Sequence, residues 1–483
     1  MKNENISSLE DHILIKKKGI VSTPLNNALG DQLKLNSWAM QRLPEYFWLA
    51  LILEYYGRET GLKHGLKIQF LISKSVKSLQ LPKLSQIFNL PKSDQSAVFN
   101  IIINNIDKAI LSPLTILYPY SKQPLFNTYF NVPEIPFEQS LSILVRVLEK
   151  FYPHQSNDAT DLRYLTLGLL VHSGNLVFSD KIKVATEALV QYPRIHHDDE
   201  RMRSYRPMIR SLEGVDQFDQ TDYNFSNTFW RNIGMITPCK PIAVNFDEDK
   251  TDYKAITEKY KKCLTYLINA FKEDSLTSDK FDVLINSTNY ALKIFCEITE
   301  SKISTGILGR HGLRTIIEVY LMLKYLTLTE KEKTNIWSDY KLYSISKFKL
   351  VLLKLREKEP DQSSHIVPPI LDILVNELKS EEFIDVDLKF FDRIGIRDKS
   401  TAVGEKELYD LPYDYDTNYV HGFWGAVREG ATLTCDNVAH QHKCIPDIDS
   451  QQKLKDVASD CRKIIDKIFL LLEEHYEIPE SYK

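Results

Sequence analysis

Apolar residues in this chain recur at three- and four-residue spacing in one segment after another, with no convincing alternation of period two. Residues three and four apart share one face of a helix, so this pattern supplies amphipathic helices and little half-buried strand. The expected fold is all-α. At 483 residues the chain exceeds what one ordinary core organises, and two or three domains are expected. The polar run NFDEDKTDYKAITEKYKK (245–262) combines charge with few large apolar residues. It sets the expected division between a helical N-terminal domain over 1–244 and a C-terminal helical bundle over 245–483.

In the first half, RLPEYFWLALILEYYG (42–57) reads as a helix with Pro44 in its first turn and Gly57 after its end. Pro-rich turns such as SPLTILYPYSKQP separate the helices that follow, because proline lacks an amide donor and restricts its predecessor. Arg194, Arg201, Arg203, Arg206 and Arg210 crowd one stretch, but Asp198, Asp199 and Glu200 lie among them. An internal salt-bridge network is the expected use, ahead of an anion site. In the second half the longest patterns are KFDVLINSTNYALKIFCEITES, GLRTIIEVYLMLKYL and DCRKIIDKIFLLLEEHY.

The composition, 43% hydrophobic and 26% charged, suits a folded globular protein. A formal net charge of -4 argues against a chain that coats nucleic acid by electrostatics alone, so any polyanion contact is local. Six cysteines without a CxxC pair suit reduced thiols. The N-terminus is polar, and no apolar run approaches the roughly 18–20 residues of a membrane span. A cytoplasmic location without membrane contact is the expectation.

No GK[ST] phosphate loop, GxGxxG, HExxH or GxSxG motif is present, which weighs against Walker-type hydrolysis, dinucleotide chemistry and zinc peptidase chemistry. What remains is a set of helical constellations. Arg310, Arg314 and Glu318 stand at successive four-residue steps and line one face. Trp337, Tyr340 and Tyr343 form an aromatic stripe, and Tyr419, His421 and Trp424 lie about a hundred residues further on. A histidine there titrates near neutrality and is a candidate general acid or base. In CDNVAHQHKC, Cys435, His440, His442 and Cys444 carry ligand atoms, but their spacing matches none of the common zinc patterns. No metal and no cofactor are expected.

At GLRTIIEVYLMLKYL, with Arg314 and Glu318, at WSDYKLY, and at YVHGFWGAV, with His421, Gly422 and Trp424, the sequence resembles the bacterial and archaeal family numbered 5677 among domains of unknown function. The resemblance covers about 250–475, and SWAMQRLPEYFWLALI looks like the front of longer members. More distantly, such domains resemble the HEPN bundles of prokaryotic defence systems, many of which cut RNA without metal using an Arg and a His. The HEPN motif places a His four to six residues after Arg, and RHGLRTIIEV offers none in that range. Arg314 and His421 would therefore have to be brought together by the fold.

That resemblance implies an RNA-acting effector in stress or phage defence, with His421 as base or acid, Arg314 stabilising the charged transition state, and Glu318 orienting Arg314 or shifting the His421 pKa by its adjacent negative charge. Arg310, Tyr340, Tyr343, Tyr419 and Trp424 are the matching candidate substrate-binding residues. A homo-oligomer and a protein partner for the N-terminal domain are the implied assembly. The alternatives are a non-catalytic sensor or adaptor, in which the same polar residues hold helices in register, and a small-ligand pocket.

Overall fold

The computed structural model describes residues 9–17, 19–22, 37–79, 81–172, 183–214, 222–247, 249–357 and 365–482. The fold is predominantly α-helical. Among the described residues strand is confined to short pieces: β1 (Ile13–Ile15), β2 (Ile20–Ser22), β3 (Pro241–Ile242), β4 (Thr432–Cys435) and β5 (Cys444–Pro446). β1 and β2 pair antiparallel, while β4 lies between β3 and β5 and sets Leu433 opposite Ile445. Pieces this short carry too few residues for alternation to show in sequence.

The chain forms two compact units, Met1–Lys240 with Cys435–Lys443, and Pro241–Thr434 with Cys444–Lys483. The expected division after residue 244 places 435–443 with the C-terminal bundle. In the structure these nine residues group with the N-terminal unit, because Asp436 N–H donates to Lys240 O (2.8 Å) and the Asn437 amide to Pro238 O (2.8 Å).

The longer helices of the first unit are α1 (Leu43–Ser75), α2 (Lys92–Ile103), α3 (Phe137–Phe151), α4 (Asn157–His172), α5 (Lys183–Gln191), α6 (Met202–Gly214) and α7 (Tyr223–Ile236). The expected helix end at Gly57 is a break in α1, with φ 70°, after which the helix resumes to Ser75. Glycine tolerates this left-handed conformation at no Cβ cost. Every residue from Leu43 to Leu53 is buried, so this half of α1 is a central helix, enclosed on all sides. Asp161 of α4 gathers Arg58 Nε (3.0 Å), the Tyr192 hydroxyl (2.8 Å) and His197 Nε2 (3.1 Å). In the arginine-rich stretch Arg201 pairs with Asp199 at 2.7 Å. Arg206 and Arg210 instead donate to neutral oxygens of Asn157, Thr160 and Gln155.

The second unit is built on α8 (Tyr253–Ala270), α9 (Asp279–Glu300), α10 (Ile307–Thr329), α11 (Ile336–Glu357), α12 (Pro368–Asn376), α13 (Ile396–Ala402), α14 (Asp414–Val420), α15 (Trp424–Gly430) and α16 (Ala458–Glu473). Ser278 caps α9 by accepting from Phe281 N–H, and Asp252 caps α8 through Ala255 N–H. α9, α10 and α16 pack on one another around Phe295, Ile316, Ile317, Leu321, Ile465 and Ile468, all fully buried. Gly312 allows the close approach of α9 and α10: a Cβ there would meet Ile298 Cδ1 at 2.4 Å. α14 also packs along α10. Among the described residues no helix is long and apolar enough to cross a membrane.

Candidate functional site

The polar row of α10 meets α14 and the turn before it. Arg314 Nε donates to Thr417 Oγ1 (3.1 Å), Nη2 to the Tyr413 hydroxyl (2.7 Å), and Nη1 lies 3.2 Å from Glu318 Oε2. The guanidinium carbon also stands 4.6 Å from the Tyr413 ring centre. Every edge of this fork is engaged, which fixes the planar group as a strut. Burial, and then the Glu318 charge, push the Tyr413 phenol above its ordinary range, so it remains a neutral donor and reaches Glu318 Oε2 at 3.5 Å.

One turn earlier on α10, His311 Nε2 faces Tyr419 O at 3.2 Å, and Arg310 Nη2 donates to Lys455 O (2.6 Å). Arg310 and Asp416 are buried to 4% and 2% exposure. Burial is the larger influence on Asp416 and lifts its carboxyl to about 7, against the opposing pull of Arg310. Tyr419 is buried with its ring 5.9 Å from the Arg310 guanidinium. Because residues 311, 314 and 318 face 419, 417 and 413 in turn, α10 and α14 run antiparallel.

His421 follows α14 as its cap residue, one turn past Thr417, whose carbonyl accepts its backbone N–H (3.1 Å). Its imidazole is exposed and stacks on Phe423, with ring centres 5.5 Å apart. The structure thus joins Arg314 to Glu318 and leaves His421 outside their network, beyond the His311 end of the helix pair. Gly422, at φ 60°, turns the chain sharply here, and Trp424 stands 67% exposed at the start of α15.

Glu318 has a second neighbourhood. A cavity of about 370 Å³ lies between α10, α11 and α13, walled by Glu318, Met322, Tyr340, Tyr343, Phe391 and Lys399 among others. Tyr340 and Tyr343, predicted as binding residues, are brought to the same space as Glu318; Arg310, Tyr419 and Trp424 are not among its walls. The cavity wall at 391–394 is held by Lys399, which is 1% exposed and donates to Phe391 O (2.7 Å) and Ile394 O (2.6 Å). Burial lowers its ammonium pKa, and the Tyr325 ring 4.6 Å away shares its charge. Tyr343 donates to Lys389 O at 2.9 Å, tying the far rim to α11.

Sequence reading passed over Tyr413, Thr417, Asp416, Phe391 and Lys399. Tyr413 and Thr417 carried a readable signal, being four apart on one face. Lys399 carried none, because a buried lysine looks in sequence like any surface lysine.

The expected ligand run separates differently. Cys435 and His440 converge with Cys239, their ligand atoms all within 4.8 Å of one another. His442 points its Nδ1 at Cys435 O (3.2 Å) and its ring at Tyr152, while Cys444 sits in the β4–β5 ladder opposite Thr434. Cys239 was not predicted, since 196 residues separate it from Cys435.

No curated protein and no solved structure matches the chain significantly. Residues 309–437, which include the Arg314–Glu318 pair, Tyr340, Tyr343, Lys399, Tyr413 and His421, match the sequence model of a family described as Family of unknown function (DUF5677). The similarity to that family is confined to this segment of the second half of the chain.

Proposed function

We propose that the second unit is a non-catalytic helical sensor that takes a small organic ligand into the Glu318 cavity. The observation that carries this reading is the division of labour at one carboxylate. Glu318 Oε2 is engaged by Arg314 and Tyr413, whereas Oε1 accepts no hydrogen bond among the described residues and the side chain is 40% exposed. A fixed carboxylate oxygen beside aromatic and aliphatic walls suits a ligand with an apolar, flat body and a cationic or N–H donor head. The cavity volume lies near the lower end of the range for small-molecule sites. Lys399 and Tyr343 hold the opposite wall in place, so little ordering is left for binding to bear.

The test is a thermal-shift and calorimetric screen of amines, guanidines and nucleosides, with native mass spectrometry of the purified chain. A binder is expected whose affinity falls at least about tenfold, or 1.4 kcal/mol, in Glu318→Gln. No binder in the panel, together with no co-purifying compound, overturns the reading.

A second reading is a metal-independent ribonuclease of the HEPN-like kind acting in defence, as a homo-oligomer. What favours it is the open setting of His421: an exposed imidazole beside exposed Phe423 and Trp424, rings on which unpaired bases stack. Arg314 enters this reading only by shaping the helix pair, not by direct contact. His421→Ala is expected to abolish cleavage of total RNA with an unchanged melting temperature. Unchanged cleavage by that variant removes the reading.

A further inference from the structure

Cys239, Cys435 and His440 form a cluster that neither the ligand cavity nor the His421 turn uses. Cys239 Sγ lies 3.6 Å from Cys435 Sγ, and His440 Nδ1 lies 3.4 Å from the same sulfur. Ligands at ordinary zinc bond lengths and tetrahedral angles stand about 3.8 Å apart for a sulfur pair and about 3.6 Å for sulfur and nitrogen. Both observed separations fall close to those edges.

The protonation of His440 follows from its other neighbour. Nε2 stands 3.2 Å from both Thr237 O and Thr237 Oγ1. The Thr237 hydroxyl proton is already given to Ile233 O at 2.7 Å, and a carbonyl can only accept. Nε2 must therefore be the donor, which leaves the Nδ1 lone pair directed at the sulfurs. A histidine oriented by a backbone carbonyl on its far nitrogen is the usual outer support of a metal-bound imidazole. Cys435 Sγ accepts the Lys240 N–H at 3.4 Å, a contact that favours thiolate over thiol. The backbone is shaped to the same end. Asn437 bridges Pro238 O and Ala439 N–H, and Gln441 and His442 at φ 56° and 50° close the loop tightly after His440.

We propose that Cys239, Cys435 and His440 bind a zinc ion, with the fourth position open on the exposed Cys239 side. Two thiolates and one imidazole suit zinc among the common divalent ions. The ion clips residues 435–443 to the 237–240 segment, joining parts of the chain nearly two hundred residues apart.

The experiment uses the full chain, purified with reductant and without chelator. Metal analysis is expected to find one equivalent of zinc. After chelation, added Co(II) is expected to give a thiolate-to-cobalt charge-transfer band, lost in Cys239→Ser and Cys435→Ser and retained in His442→Ala and Cys444→Ser. Should those serine variants fail to fold, alkylation of the wild-type chain still decides. Zn(II) is expected to slow modification of Cys239 at least about tenfold, since a bound thiolate is no free nucleophile, with Cys444 unaffected. Absence of bound zinc with no cobalt band overturns the proposal. So does a Cys239–Cys435 disulfide in place of metal, or a band that survives Cys239→Ser but not Cys444→Ser.

Discussion

Arg310 Nε stands 3.9 Å from Asp416 Oδ1, and the two side chains are almost wholly withdrawn from solvent. Among the described residues Asp416 Oδ2 and Arg310 Nη1 have no hydrogen-bond partner, so the pair is close but poorly satisfied. Desolvation exceeds attraction for such a pair, which is why the Asp416 carboxyl rises from 3.8 to about 7. A folded-state pKa above the unfolded one means that the folded chain holds the extra proton. The stabilisation is complete below pH 3.8 and is lost as pH rises through about 7. Hydrogen exchange of α14 peptides in urea is expected to show local stability falling between pH 5 and pH 8, on the order of a few kcal/mol. In Asp416→Asn that slope should flatten, and the variant should be more protected than wild type at pH 8. Equal slopes in the two proteins would refute the assignment.

Glu405 carries the opposite sign. Burial raises its carboxyl, but hydrogen bonds from Lys324 (2.8 Å), Lys467 (2.8 Å) and Tyr320 (2.6 Å) outweigh that and bring it to about 2. Its contribution is present above pH 4.5 and lost as pH falls toward about 2. Because both lysines are more than a third exposed or nearly so, solvent screening reduces the contribution. Glu405→Gln is expected to cost about 1–2 kcal/mol at pH 7. That cost should shrink steadily as pH is lowered from 4.5 toward 2, as read from urea midpoints.

Gly309 begins the matched family segment and stands in the first turn of α10. A Cβ there would meet Ile303 O at 2.7 Å and Ser304 O at 2.9 Å, both backbone atoms that cannot rotate away. Alanine is the better helix former by about 1 kcal/mol. Even so, Gly309→Ala is expected to destabilise α10 by about 1–3 kcal/mol, as overpacking does. A stabilised variant in thermal unfolding would contradict the close approach.

Arg314→Lys keeps the charge and loses the fork. A lysine ammonium cannot reach Thr417 Oγ1, Tyr413 and Glu318 in one plane. Loss of two hydrogen bonds predicts a cost of about 1–3 kcal/mol, and exchange protection should fall in α14 before it falls in α16. Uniform loss across both helices would show instead that the network is not local.

The all-α class, the helices of both halves and the pairing of Arg314 with Glu318 were legible in sequence, since each depends on residues three or four apart. Periodicity reports which face a helix buries, not which helix covers it. His421 shows the limit: residue type marked it as reactive, but only the antiparallel course of α14 places it beyond the His311 end of α10. Likewise the Glu318 cavity depends on Phe391 and Lys399, brought to α10 by chain folding with no local pattern to announce it.

Local spacing, then, determined the helices, their apolar faces and the i,i+4 ion pair, because those interactions close within a single turn of backbone. Tertiary structure decided the rest: which carboxylates lose water, which lysine is sealed, and that Cys239 meets Cys435 and His440. Burial and long-range convergence are properties of packed surfaces, and a sequence specifies them only through the whole set of contacts at once.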